Sequence, residues 1–264
     1  MKIIKKSNLM HNVSIKYKDI GFVPTMGALH EGHISLIKKS KKKSKKTIVS
    51  IFINPKQFDK KKDFKTYPNY AGKDLSICKK LKVDYVFMPN TKEIYQWNDT
   101  KKIKPKIDNI MEEKFRKGHL NGVLAVMSKL ISIVKCSNIY MGKKDYQQLI
   151  LIKEFIKINK IKSSIVACKT IRMKNGGALS SRNLLLDKDA LKAMGKVYHF
   201  LRLYKKSGGG PSFAMSQLKK IGVKKVDYIK LINLLNFKEV KKITSKTNVF
   251  IAYYLNGVRL IDNL

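Results

Sequence analysis

The stretch FVPTMGALHEGH (Phe22–His33) joins the end of a short apolar run to the start of a segment with helical spacing. In doubly wound folds, nucleotides bind where a strand ends and a helix begins, because the first helical turn offers free N–H groups and the positive end of a dipole. Gly27 and Gly32 let the backbone approach a ligand closely. His30 and His33 lie three residues apart and can share one face of the first turn. We therefore predict a phosphate-binding turn. A zinc pair is the alternative, but no third ligand is obvious.

Around this stretch, the first two-thirds of the chain alternates β-branched runs with amphipathic segments. The predicted strands are Ile20 to Pro24, Thr47 to Ile53, Asp84 to Met88, Asn138 to Met141 and Ser164 to Cys168. Apolar residues at helical spacing predict helices over Ile34 to Ser44, Gly72 to Leu81, Val123 to Val134 and Tyr146 to Ile158. This alternation is typical of a parallel sheet covered by helices, so we predict an α/β fold with a doubly wound, Rossmann-like sheet.

The pattern changes after Thr170, which predicts a first domain over residues 1–170 and a smaller α+β domain over residues 171–264. A helix is predicted from Asp187 to Tyr204, followed by a breaker cluster from Ser207 to Pro211. The predicted strands of the second domain are Val226 to Leu231, Val249 to Leu255 and Val258 to Ile261. Asn256-Gly257 between the last two strands is a strong signal for a two-residue hairpin.

Composition limits the class of protein. The chain has 264 residues, of which 44% are hydrophobic, and no run of about 18 apolar residues marks a membrane span. The N-terminal segment MKIIKKSNLMHN lacks the apolar stretch of a secretory signal. Three widely spaced cysteines, Cys78, Cys136 and Cys168, form no CxxC pair and indicate reduced structural thiols. We expect a cytoplasmic protein without a membrane partner.

The formal net charge of +39 suggests a nucleic-acid partner, because clustered basic residues neutralise phosphates. Only five of the 57 basic residues are Arg, however, and the Lys residues are dispersed along the chain. Phosphate and base recognition usually recruits the planar Arg side chain, so the skew favours drift in an AT-rich coding sequence. We expect no specific nucleic-acid partner. A basic relic retained as a nucleic-acid binder is the alternative.

The stretch from Phe22 to His33 resembles the HxGH signature of the nucleotidyltransferase superfamily, and PTMGALHEGH resembles the pantothenate synthetase family in particular. Further similar blocks follow in the same order and cover nearly the whole chain. They are VSIFINPKQFD (Val49 to Asp59), Tyr67-Pro68, GHLNGV (Gly118 to Val123), MGKKDYQQL (Met141 to Leu149), ALSSRN (Ala178 to Asn183) and RLIDN (Arg259 to Asn263). A chance match to all these blocks in register is not credible.

The resemblance implies the catalytic residues His33, His30, Lys144 and Arg182. Lys144 is similar to the catalytic lysine of the family, and His33 to its proton donor. The segment from Leu179 to Arg182 resembles a mobile KMSKS-type loop, which would close over ATP from the smaller domain. The implied ATP-binding residues are Met26, Gly27, Ala28, Leu29, His30, Glu31, Gly32, His33, Gly142, Lys143, Lys144, Asp145, Ile171, Leu179, Ser180, Ser181 and Arg182.

The resemblance also implies a second set of residues for the acid and the amine. Gln57 and Gln148 would hold pantoate, because neutral amides suit a substrate with hydroxyls and a carboxylate. The full implied set for pantoate and β-alanine is Gln57, Gln148, Asn54 and Arg116. Without the resemblance, amides that satisfy loop backbone groups are the simpler interpretation.

The chain departs from the family pattern near the implied metal. Lys73 stands where relatives often have an acidic residue, which leaves Asp74 as the implied metal contact. Lys143 and Gly177 also replace other residue types usual in the family. These departures put the metal site, rather than the ATP and pantoate contacts, in doubt.

The reaction implied by the resemblance is the ATP-dependent condensation of (R)-pantoate with β-alanine through a pantoyl-adenylate, which yields pantothenate, AMP and pyrophosphate. The implied partners are ATP, Mg²⁺, pantoate, β-alanine and a second copy of the chain in a homodimer. Another HxGH nucleotidyltransferase, transferring AMP to a phosphorylated acceptor, is the alternative within the superfamily. The INPKQF and KKDYQQL blocks argue against it.

Overall fold

A computed structural model describes residues 1–98, 102–241 and 243–264. The chain divides into two compact units, Met1–Lys169 and Thr170–Leu264. None of the helices in the described part of the chain has both the length and the apolar composition that a transmembrane helix requires.

The first unit is built on a parallel sheet of six strands in the order β1-β4-β3-β2-β5-β6. The strands are β1 (Lys2–Ile4), β2 (Ile20–Thr25), β3 (Lys46–Ile51), β4 (Tyr85–Phe87), β5 (Asn138–Gly142) and β6 (Ser164–Cys168). The helices are α1 (Ser7–Ser14), α2 (Glu31–Lys43), α3 (Lys61–Lys65), α4 (Ala71–Lys80), α5 (Thr91–Tyr95), α6 (Glu112–Phe115), α7 (His119–Ile133) and α8 (Tyr146–Ile158), and the 3-10 turns are Pro55–Gln57 and Lys143–Asp145.

Helices cover both faces of this sheet. Successive side chains of a strand point to opposite faces, so apolar strands need a cover of helices on each face. Phe22 of β2 and Ile48 of β3 pack into a core formed with α1, α7 and α8. Their neighbours Val23 and Val49 face the opposite way and pack into a core formed with α2 and α4. Residues on both faces are fully buried, and the predicted doubly wound α/β fold is confirmed.

Strand order places the candidate site. From β2 the chain continues to β3 and β4 on one side of the sheet, and it later returns to β5 on the other side of β2. The loops that follow β2 and β5 therefore leave the same edge of the sheet where the strand order reverses. Such switch points are where ligands bind in open α/β sheets. In this sheet the loop after β2 contains the turn from Met26 to His30, and the loop after β5 contains the turn Lys143–Asp145.

The second unit is an antiparallel sheet of three strands in the order β7-β8-β9, with two longer helices packed on it. Its elements are a 3-10 turn (Ser181–Leu185), α9 (Lys188–Ser207), α10 (Pro211–Lys220), β7 (Lys225–Asn233), β8 (Thr247–Leu255) and β9 (Val258–Asn263). The predicted Asn256-Gly257 hairpin is present. Both residues have positive φ, +47° and +75°, as a two-residue hairpin turn of this kind requires.

Two helices start several residues earlier than the sequence predicts. Helix α2 begins at Glu31 instead of Ile34 because His30, which is not a typical N-cap residue, caps it with its side chain. Helix α7 begins at His119 instead of Val123, after Gly118 in the left-handed region. Several elements were not predicted: β1, α1, the short helices α3, α5 and α6, and α10, although Pro211 occupies a favoured first position in α10.

Candidate active site

The turn between β2 and α2 brings His30 and His33 together. The two rings lie 4.1 Å apart, centroid to centroid. Nδ1 of His30 accepts the Gly32 N–H at 3.1 Å, and Nδ1 of His33 accepts the His30 N–H at 3.4 Å. Because a backbone N–H can only donate, each Nδ1 is unprotonated, and in the neutral ring the proton is on Nε2. The capping contacts therefore prepare two Nε2–H donors.

Both imidazoles are neutral at physiological pH. Burial, reinforced by the Lys144 ammonium, lowers the pKa of His30 to about 4 although Asp145 opposes the shift. Burial also lowers the pKa of His33 well below its usual value, with His30 and Lys144 as further causes. Lys144 thus acts on both histidines and Asp145 acts on His30, so the structure brings the post-β2 and post-β5 turns together.

The turn itself is held by Asp74 of α4. Its two carboxylate oxygens accept the N–H groups of Ala28 at 2.9 Å and Leu29 at 2.7 Å. Ala28 has a φ of +49°, which is uncommon for a residue other than Gly. At Gly27, with a φ of +80°, a Cβ would stand 2.9 Å from the Asp74 Oδ2. Asp74 is buried, and its two hydrogen bonds to backbone N–H groups anchor the turn. The predicted metal contact of Asp74 stays a prediction.

Lys144 lies on the 3-10 turn that joins β5 to α8. Its ammonium is 3.4 Å from the Asp145 Oδ1, and its side chain is 17% exposed. Gly142 ends β5, and Lys143 opens the turn. A strand end and a 3-10 turn thus present the predicted lysine beside the histidine pair.

The loop after β3 carries Asn54 and Gln57, both buried. Asn54 Nδ2 donates to the Gln57 Oε1 at 3.2 Å and to the Gly122 carbonyl at 3.1 Å. Asn54 Oδ1 accepts from the Tyr95 hydroxyl at 2.6 Å. Gln57 Nε2 reaches the Met26 sulfur at 2.9 Å. Gln57 therefore borders the turn after β2. Asn54 is 1% exposed and holds the Gln57 side chain through its hydrogen bond to Oε1.

Arg116 and His119 form a buried network next to Gln57. The Arg116 guanidinium contacts the carboxylates of Asp59 at 3.1 Å and Glu112 at 3.5 Å. Its Nη1 is 3.1 Å from the His119 Nε2. Burial alone would raise the pKa of Asp59, but Arg116 lowers it overall. These contacts identify Arg116 as the centre of an internal network, and its predicted contact with substrate stays a prediction.

The same network reaches the second glutamine. Gln148 Nε2 lies 3.1 Å from the His119 Nε2, and the His119 Nδ1 lies 2.6 Å from the Gln57 carbonyl. One imidazole thus contacts both residues predicted to hold pantoate. His119 belongs to the GHLNGV block but was not predicted as a site residue. Tyr95 was not predicted either, and nothing in its local sequence distinguishes it.

The remaining predicted residues belong to the second unit. Arg172, next to Ile171, makes a paired contact with the Asp262 carboxylate at 2.7 and 2.9 Å, which ties the segment before Leu179 to β9. Ser180 and Asn183 cap the 3-10 turn that contains Ser181 and Arg182. Ser181 is buried. The predicted role of this loop in ATP binding stays a prediction.

Gly176, upstream of that loop, has a structural reason to be Gly. Its φ is +90°, and a Cβ would stand 2.0 Å from the Tyr198 ring. The Arg172 guanidinium also lies over this ring, 4.6 Å from its centroid. Close packing therefore accounts for Gly176 independently of any loop movement.

Comparison with known proteins gives a consistent result. The family model for pantoate-beta-alanine ligase matches residues 2–264. A pantothenate synthetase of Francisella tularensis subsp. novicida is 41% identical over 262 residues, which span 98% of this chain and 94% of that protein.

Solved structures agree. A crystal structure of the pantoate-beta-alanine ligase from Francisella tularensis, complexed with beta-gamma ATP and beta-alanine, is similar with a TM-score of 0.87 and 40% identity, over 100% of this chain and 97% of that one. The pantothenate synthetase from Thermus thermophilus is similar with a TM-score of 0.90 and 27% identity, over 100% and 99% of the two chains.

Proposed function

Because the chain belongs to the pantoate–β-alanine ligase family, we propose that it is the AMP-forming ligase that joins (R)-pantoate to β-alanine in pantothenate biosynthesis. The observation that carries this function is the match of the family model to residues 2–264. ATP is the second substrate, and its phosphates suit a site at the start of α2, where the positive end of the helix dipole and the Nε2–H groups of His30 and His33 favour an anion.

The first step activates the acid. A carboxylate oxygen of pantoate attacks the α-phosphorus of ATP, and the bond from that phosphorus to the bridging oxygen breaks. The products are pantoyl-adenylate and pyrophosphate. Negative charge grows on the departing pyrophosphate, so donors that face it stabilise the transition state. We assign this role to His30, His33 and Lys144, and from the second unit to Ser180, Ser181 and Arg182.

The second step forms the amide. The amine of β-alanine attacks the acyl carbon, the bond from that carbon to the AMP oxygen breaks, and the amine loses a proton. Pantothenate and AMP are released. No enzyme nucleophile is needed, so the site works by orienting the reactants and by electrostatic stabilisation. Because both histidines are neutral, each ring can donate a hydrogen bond from Nε2–H. Neither ring is an imidazolium that could transfer an extra proton to the substrate.

Magnesium is part of the proposal. Within the described residues, no group of three or more His, Cys, Asp or Glu side chains is arranged to hold a metal ion. Magnesium is usually held by one or two carboxylates together with substrate phosphates, so this site suits an ion that arrives with ATP. Asp74 is the carboxylate that the family resemblance implies as its contact. When bound, the ion neutralises phosphate charge.

The proposal includes pantoate binding by Gln57 and Gln148, with Asn54 and Arg116 beside them, and a cytoplasmic homodimer. Two contacts support the pantoate site: Gln57 borders the post-β2 turn through Met26, and His119 joins Gln57 to Gln148. Sedimentation of the purified chain tests the dimer.

The decisive experiment measures two reactions. AMP formation should require ATP, pantoate and β-alanine together. Labelled pyrophosphate should enter ATP with pantoate and magnesium alone, because the adenylate forms before the amine reacts. Exchange that requires β-alanine would contradict a separate adenylate step, and formation of ADP would indicate an acyl phosphate and contradict the proposed reaction.

A further inference from the structure

The network behind the two glutamines contains groups whose hydrogen-bonding roles are unambiguous. A backbone N–H and a guanidinium N–H only donate, and a backbone carbonyl only accepts. These groups determine which end of each amide faces its neighbour.

The orientation of Gln57 follows from Asn54. The Lys56 N–H donates to one end of the Asn54 amide at 3.2 Å, so that end is Oδ1. The other end lies 3.1 Å from the Gly122 carbonyl, so it is Nδ2. Because Nδ2 also points at Gln57 across 3.2 Å, the near atom of Gln57 is its acceptor, Oε1. The Nε2 of Gln57 is therefore on the far side, where it meets the Met26 sulfur, a weak acceptor that a substrate oxygen can replace.

Tyr95 completes this half of the network. Its hydroxyl is 2.6 Å from the Asn54 Oδ1, to which it must donate. Burial raises the pKa of Tyr95 to about 12, although the bond to Asn54 opposes the shift, so the hydroxyl keeps its proton. The Lys56 ammonium lies 3.9 Å from the centroid of the Tyr95 ring and holds the ring against the loop.

The orientation of Gln148 follows from Arg116. Nη1 of Arg116 donates to the His119 Nε2, so that nitrogen is unprotonated. The proton of the neutral ring is therefore on Nδ1, which donates to the backbone carbonyl of Gln57 at 2.6 Å. An unprotonated Nε2 can only accept, so the end of Gln148 that lies 3.1 Å away is its Nε2, which shares the one lone pair of that nitrogen with the Arg116 Nη1. The Oε1 of Gln148 is the end directed away from His119.

We propose that Tyr95 and His119 are positioning residues that give the pantoate site its polarity, so that Gln57 presents an N–H donor and Gln148 presents a carbonyl acceptor. This arrangement is complementary to a hydroxy acid, with an acceptor oxygen opposite Gln57 and a hydroxyl hydrogen opposite Gln148. The inference rests on the proposed function, since it concerns how that site selects its acid. It assigns no contact between substrate and either positioning residue.

The first test removes one oxygen. Tyr95→Phe should raise the KM for pantoate by about ten-fold and leave the KM for ATP within about two-fold, because it removes the hydroxyl that holds Asn54, the hydrogen-bond partner of Gln57. Tyr17→Phe is the matched control, because it removes a hydroxyl bonded to the Tyr85 hydroxyl at 2.9 Å in the same unit. It should leave both KM values unchanged.

A double-mutant cycle separates positioning from general loss of packing. In a Gln57→Ala background, Tyr95→Phe should raise the KM for pantoate no further, because the residue through which it acts is absent. His119→Asn forms the second cycle, since its Nδ2 can replace the His119 Nδ1–H while the contact to Gln148 is lost. Its effect should disappear in a Gln148→Ala background.

The outcomes are distinct. Effects of Tyr95→Phe and His119→Asn that persist unchanged in the Gln57→Ala and Gln148→Ala backgrounds would overturn the inference, as would a rise in both KM values together. A wild-type protein that forms no pantothenate would overturn the proposed function itself. Active wild-type protein with an unchanged pantoate KM in both single variants would overturn the inference alone.

Discussion

Gly122 and Lys56 are in such close contact that a Cβ at Gly122 would stand 2.1 Å from the Lys56 carbonyl oxygen. Helix α7 thereby lies directly against the loop that carries Asn54 and Gln57, and the Gly122 carbonyl accepts the Asn54 amide. The absence of a side chain in α7 thus determines where a predicted pantoate residue stands.

Gly122→Ala should displace this loop, because the obstructing atom is backbone and cannot rotate away. We expect destabilisation of about 1–3 kcal/mol, as for other overpacked sites, and weaker pantoate binding. Denaturant unfolding and titration with pantoate measure the two effects. Gly72→Ala is the control: nothing lies within 4 Å of its Cβ position in α4, so it should be neutral or stabilising. Equal behaviour of the two variants would contradict the role of Gly122.

Asp74→Asn should loosen the post-β2 turn. An amide has only one acceptor atom, so either the Ala28 N–H or the Leu29 N–H would face an NH₂ group. We expect a loss of about 1–3 kcal/mol of stability and weaker ATP binding, measured by unfolding and calorimetry. Asp19→Asn changes a carboxylate that accepts the exposed Lys45 N–H, and it should leave ATP binding intact. Full ATP affinity in Asp74→Asn would show that the turn does not depend on this anchor.

Activity should persist into acid. The pKa of His30 is lowered from about 6.5 to about 4, and that of His33 is also lowered, so both rings stay neutral in the folded protein while the unfolded chain takes up protons below pH 6.5. The contribution of these two histidines to the free energy of unfolding should therefore be fully present above pH 6.5 and should be lost as the pH falls toward 4.

Melting temperature between pH 4 and 8 measures this effect, and the pH dependence should be smaller in His30→Gln. The acid limb of kcat/KM should lie well below pH 6.5. A limb at pH 6.5 that moves in His30 variants would contradict the neutral assignment.

Lys144→Ala should lower turnover by about 10² or more, because it removes the cation that we propose stabilises charge on the phosphates. The same change should raise the pKa of His30, although burial, the larger cause, remains. An NMR titration of the imidazoles measures that rise. Lys153→Ala, at an exposed position of α8, should change neither quantity. An unchanged His30 titration in Lys144→Ala would indicate that the ammonium does not act on the histidines.

Arg116→Lys should be strongly destabilising. A single ammonium cannot meet Asp59, Glu112 and the His119 Nε2 at once, and the buried Glu112 carboxylate would lose its contact with the guanidinium. We expect a loss of about 3 kcal/mol in the free energy of unfolding. Arg202→Lys, at an exposed position, is the control. A small loss in Arg116→Lys accompanied by a large rise in substrate KM would favour direct substrate contact instead.

Local sequence patterns predict much of the fold. Strand β6 and helix α8 have the predicted bounds, Ser164–Cys168 and Tyr146–Ile158, because period-2 and period-3.6 patterns report which face of an element is buried. The same reasoning did not find the start of α2, because a histidine cap depends on a contact between side chain and backbone. Strand β1 is only three residues long, too short for a pattern to be read.

The candidate site divides in the same way. The sequence by itself determined the family, the HEGH turn and Lys144, because these depend on residue types in a fixed local order. Only the tertiary structure showed that Asp74 anchors the turn 45 residues away and that His119 and Tyr95 lie behind the two glutamines. Each of these contacts joins elements distant in the chain, and the direction of a buried hydrogen bond depends on which atoms packing brings within about 3 Å. That information resides in the packed core and not in the spacing of residues along the chain.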